Sequence, residues 1–171
     1  MIAYKFLQPD GVAPFTGFRW PRPNGGAGDW VEAETVNPCR GGVHACRVRD
    51  LPIWIAPELW EIELAGDVVE LERKVVASRG RLLGHLPQWN DELRDAFAKF
   101  CVDRTRLRVG ALPVVSGFVA DVERFRAQRR TAIAGFAAAR AAEVRNGPEA
   151  YEDERRAQAE WLARRLGLGA G

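Results

Sequence analysis

The feature that most constrains this chain is a change of period at Asn90. Before it, apolar residues alternate with polar ones or are broken up by proline and glycine; after it, they recur every three or four positions. A period of two buries one face of a strand, and a period near 3.6 buries one face of a helix. The chain therefore reads as α+β: a small, mostly antiparallel sheet over residues 1–86 followed by a three-helix C-terminal half. The corresponding domains are residues 1–88 and 89–171, the second an extension packing on the first or on a partner.

In the first part, Ile2, Tyr4 and Phe6 alternate with Ala3, Lys5 and Leu7 as in a strand. Residues 8–29 are rich in proline and glycine and read as loop, with Phe15, Phe18 and Trp20 pinning it to the body. Residues 30–34 suit a short strand. The clearest strand is Leu59–Leu64, with Trp60, Ile62 and Leu64 on one face and Glu61 and Glu63 on the other. Gly66-Asp67 supplies a turn, after which Val68–Leu71 would return as its partner. Residues 74–83 add a further strand with Arg79 and Arg81 on one face.

In the second part, Asn90 caps a helix whose stripe is Leu93, Phe97, Phe100, Cys101 and Leu107. A second helix runs from after Ser116 to Asn146-Gly147, with Phe118, Val122, Phe125, Ala132 and Phe136 as its apolar face. A third has Pro148 in its first turn and ends at Gly167. The pairs Glu152/Arg156 and Glu160/Arg164 are spaced to contribute ~0.2–0.5 kcal/mol each. Trp161 and Leu162 suit either intramolecular core or a surface for self-association.

The balance of 25 basic and 23 acidic residues excludes a strongly polyanion-seeking protein on bulk charge. Arg124, Arg126, Arg129, Arg130 and Arg140 crowd the second helix, but Asp121, Glu123 and Glu143 dilute them, so a nucleic-acid partner is disfavoured. No run approaches the ~20 apolar residues of a membrane span, the N-terminus has no signal-length apolar run, and three cysteines do not make a disulfide scaffold. These features point to a soluble cytoplasmic protein with no membrane partner.

Cys39, His44 and Cys46 are three potential metal ligands within eight residues, and Cys101 or His85 would complete a zinc set. The spacing of Cys39 and Cys46 is wider than structural zinc sites use, so zinc stands as an alternative. Cys46 with His44 is also the residue pair of a thiol nucleophile and its base, whereas the bland role for His44 is a half-buried strand residue bonded to backbone. Cys101, on an apolar helix face, reads as a buried thiol. Glu61 and Glu63 stand about 7 Å apart on one strand face, suited to acid–base work or to a solvated edge. Arg79 and Arg81 would hold a phosphate or pair with those glutamates across the sheet.

The run Cys39-x-x-Gly42-Val43-His44-Ala45-Cys46, then Leu51, Leu59-Trp60-Glu61-Ile62-Glu63-Leu64-x-Gly66 and Lys74-Val75-Val76-Ala77 resembles an uncharacterised domain family of actinobacteria and, more distantly, phages. In that family a Gly-Phe-His-x-Cys element precedes a strand ending in glycine, and Tyr4-Lys5-Phe6 fits its opening. The likeness spans residues 4–83 and implies fold rather than activity. A remoter likeness is to ADP-ribosyltransferase-like domains, in which Glu61-Ile62-Glu63 would supply the catalytic Glu-x-Glu, and His44 or Arg19 a contact to NAD. Their Ser-Thr-Ser element is missing here.

The leading expectation is a non-catalytic binding or interaction module without a cofactor, engaging a protein partner or forming a homo-oligomer through its helices. The enzyme alternative is a nucleotide-dependent transferase using NAD, with His44, Glu61 and Glu63 catalytic. It requires His44 and Glu63 to converge in one concave site.

Overall fold

The computed structural model describes residues 1–38, 40–109 and 113–169. The chain forms two compact units, Met1–Trp89 and Asn90–Gly169. The boundary falls one residue beyond the sequence reading because Trp89 belongs to the first unit. Its indole N–H donates to the Ala56 carbonyl at 2.8 Å, and its ring meets Phe6 edge-on at 5.6 Å.

The first unit comprises β1 (Ile2–Leu7), β2 (Val31–Glu32), β3 (Val43–Ala45), the one-turn helix α1 (Leu51–Trp54), β4 (Glu58–Glu70) and β5 (Val75–His85). The strands are antiparallel, in the order β1-β4-β5-β2. β3 lies beside β2 along the same edge of β5, opposite Val75–Ala77, while β2 takes Arg79 and Gly80. Tyr4 and Cys46 then exchange two backbone hydrogen bonds of 2.8 Å, tying the end of β3 back to β1. β1, β4, β5 and β3 thus close a circuit around a core that includes Leu7, Trp20, Val43, Trp60, Ile62, Leu64 and Leu82. On β1 the core face is that of Ala3 and Leu7, with Lys5 between them in register.

Two register shifts bend β4. The second corrects the turn read at Gly66-Asp67: the strand runs on to Glu70, and the chain reverses at residues 71–74 instead, where Leu71 N–H bonds Lys74 O at 2.9 Å. Gly66 has φ +74°, and the pairing jumps from Ala65–Arg79 to Val68–Ala77, so the glycine makes a bulge. A Cβ there would lie 2.0 Å from Ser78 Oγ, an approach that requires glycine. Val68 and Val69 therefore extend β4 instead of forming a separate partner strand.

The second unit has four helices where three were read: α2 (Asp91–Val109), α3 (Pro113–Ala127), α4 (Thr131–Asn146) and α5 (Pro148–Leu166). The extra break falls at residues 128–130, where Arg129 adopts φ +56° and Arg130 N–H reaches back to Phe125 O at 2.9 Å. This is a left-handed helix stop made without glycine. The expected caps are present: Asn90 Oδ1 accepts from Leu93 N–H at 2.9 Å, and Gly167 ends α5 at φ +68°.

Central α4 packs against α2, α3 and α5. It buries Ala134, Gly135, Ala137, Ala138, Ala139, Ala141 and Ala142, and these small residues permit close helix approach. Trp161 stacks on Phe100 at 5.3 Å, and Leu162 is fully buried, so both serve the core of this unit. Leu107 and Phe136, read as stripe residues, are exposed. Glu154 is fully buried, with Arg104 at 2.8 Å and Arg108 at 3.0 Å. Of the four-apart pairs, Glu160 and Arg164 meet only at 4.0 Å, and Arg156 bonds Asp153 at 3.0 Å. Among the described residues, no helix is long and apolar enough to cross a membrane.

Candidate binding cleft

In the loop after β1, Ala13 N–H bonds Phe18 O at 2.8 Å and Trp20 N–H bonds Gly11 O at 3.0 Å. This folds residues 11–20 back on themselves and buries Trp20 in the core, while Phe15 stays 85% exposed. Phe15 meets Trp54 of α1 edge-on at 6.4 Å, and Phe18 meets Trp20 at 5.7 Å. Trp54 is fixed by its indole N–H, which donates to Arg73 O at 2.7 Å. These four rings wall a cleft of about 630 Å³ in the first unit, lined also by Lys5, Arg40, His44 and Lys74.

Lys5 is the unusual group in this cleft. Its ammonium lies 4.7 Å from the centre of the Trp20 ring and donates to the His44 carbonyl at 2.5 Å. Burial lowers its pKa to about 8, because a desolvated ammonium loses the hydration that favours its charge. One of its three donors is satisfied by oxygen; no other acceptor bonds it among the described residues.

His44 lines the same cleft and is also held below its usual pKa, first by burial and then by the fields of Lys74 and Lys5. The Gly42 backbone acts the other way, favouring the charged imidazole, and His44 Nε2 is buried without a partner among the described residues. Such an atom costs ~1–3 kcal/mol when neither water nor a ligand bonds it. Among the described residues, three cations and one carboxylate, Glu32, line the cleft, and that carboxylate lies 3.9 Å from Arg79. The cleft is therefore electropositive and aromatic.

The other residues singled out by sequence are elsewhere. Neither Glu61 nor Glu63 lines the cleft with His44. Glu63 pairs with Arg81 at 2.8 Å, the cross-strand arrangement anticipated, whereas Arg79 turns to Glu32 on β2. Glu61 sits opposite Tyr4 on β1. Arg79 and Arg81 share the Trp30 ring, at 4.0 and 4.6 Å from its centre, and Arg79 Nε is buried without a hydrogen-bond partner among the described residues. Arg19 donates to Asp10 O at 3.1 Å.

Cys39 lies outside the described residues. Among those described, no three His, Cys, Asp or Glu side chains group as metal ligands. Cys46 is 2% exposed, and its thiol is pushed above its ordinary pKa by burial and then by Asp50, the reverse of what a nucleophile requires. The His85 ring meets Trp60 at a tilt, 4.9 Å between centres, and Cys101 is a buried thiol of the helical unit, as read. Sequence reasoning missed Lys5, Trp54 and Lys74. Only Lys5 left a trace, by sharing the parity of Ala3 and Leu7. No family profile, curated protein or solved structure matches the chain.

Proposed function

We propose that this chain is a non-catalytic binding module whose recognition surface is the aromatic cleft of its first unit. The observation that carries this reading is that exposed Phe15, set edge-on against half-buried Trp54, lines the same cleft as the incompletely bonded Lys5 ammonium. An exposed aromatic held against a second ring, next to buried polar groups lacking full satisfaction, is the composition of a ligand-binding pocket. The transferase alternative draws less support, since Glu63 is engaged by Arg81 and does not join His44. Self-association through the helices has as its material Phe136 and Val144, with Arg140 one turn from each on the same helix.

Ligand-observed NMR with a library of small aromatic fragments tests the reading. Fragments should bind the full-length protein, and Trp54→Ala should abolish most of the hits. Hits that persist unchanged in Trp54→Ala would refute it. Native mass spectrometry of the same sample reports on the helices: a dimer dissociated by Phe136→Ser would favour self-association instead.

A further inference from the structure

We infer that the cleft takes a planar aromatic anion, its ring against the Phe15–Trp54 wall and its negative group at Lys5. This rests on the cleft being the recognition surface, and it adds the chemical class of the occupant.

The argument begins with the position of Lys5. A lysine on the core face of a strand, flanked in register by Ala3 and Leu7, is a poor choice for stability. Methionine would fill similar space without a charge to desolvate. The structure compensates this charge only in part. The Trp20 ring and one carbonyl face the ammonium, and neither carries a formal negative charge. Arg22, by contrast, has Glu58 at 2.9 Å, and Arg47 has Asp50 at 2.6 Å. Lys5 is thus a cation held in an apolar setting without a counter-ion among the described residues.

The surroundings make the deficit larger. Lys74 and Arg40 line the same cleft, and the fields of Lys74 and Lys5 add to burial in holding the His44 imidazole toward its neutral form. A monoanion entering the cleft would meet this field and supply the missing counter-charge, with two ammonium hydrogens available to it. The rest of the lining is aromatic, which favours a flat apolar body over a hydrated inorganic ion. A neutral ligand would leave the ammonium as poorly compensated as before. A cation would be repelled.

Matched fluorescent probes test this directly on the full-length chain: 8-anilinonaphthalene-1-sulfonate and N-phenyl-1-naphthylamine, which share a ring system and differ by the sulfonate. Hydrophobic partition alone favours the neutral amine, so a preference for the sulfonate reports charge. The sulfonate should bind at least tenfold more tightly. Lys5→Met should erase most of that preference, Lys5→Arg should retain it, and Trp54→Ala should weaken both probes. Equal or tighter binding of the neutral probe, or a preference unchanged in Lys5→Met, would overturn the anion assignment while sensitivity to Trp54→Ala kept the cleft reading standing. If Trp54→Ala altered neither probe, the cleft itself would fall, and the inference with it.

Discussion

A residue that costs the fold stability is a candidate for function, and Lys5 is such a residue. Its pKa of about 8 lies below the ordinary 10.5 of an unfolded chain. Between those values the unfolded state binds more protons than the folded one, so stability rises with pH across that window, and the penalty is fully present below it. The groups that face the ammonium are Trp20, the His44 carbonyl and Cys46, none of them a carboxylate, and Lys74 is a further cation of the same cleft. Lys5→Met should therefore be more stable than the parent at pH 7, by about 1–3 kcal/mol, and its advantage should shrink by pH 10. Thermal melts at the two pH values check this; a variant that melts lower at pH 7 would count against it. Alternation could not disclose the setting of Lys5. A period of two says that Ala3, Lys5 and Leu7 share a face, not whether that face is wet or dry.

At the scale of elements, what was legible followed local chemistry. Asn90, Pro148, Gly147 and Gly167 mark helix ends because capping and left-handed stops act within one turn. The stop between α3 and α4 escaped notice because Arg129 occupies a left-handed position that glycine or asparagine would have advertised. Replacing it should relieve the strain: Arg129→Gly should stabilise the helical unit by about 1 kcal/mol, even after loss of the exposed Arg129–Asp91 contact at 3.3 Å. Chemical denaturation followed by far-ultraviolet circular dichroism would register the gain, and a loss of stability would mean that the contact outweighs the strain. Gly66 misled in the opposite direction. A Gly-Asp pair suits a hairpin turn and a bulge equally well, and only the pairing of β4 with β5 decides between them.

At the scale of the whole molecule, the division at Asn90 was readable because periodicity is a property of each unit taken alone. The circuit of strands was not, because it depends on pairings between segments far apart in sequence, such as Tyr4 with Cys46. The cleft inherits that opacity, since β1, β3, α1 and the loop after β1 each contribute to its wall. Each unit has its own buried core, so residues 1–89 expressed alone should melt cooperatively and retain probe binding. A non-cooperative transition in that fragment would show that the sheet unit needs the helices.

The Tyr4–Cys46 closure also sets an order of events during synthesis. β1 leaves the ribosome before β3, β4 and β5, so it has no strand partner until β3 emerges, and its main partner β4 later still. Helices α2–α5 assemble from contacts that arise quickly along the chain, whereas the strand circuit waits on distant segments. The cleft is therefore a late product of folding: a nascent chain carries Lys5, Trp20 and Trp54 long before they share one wall.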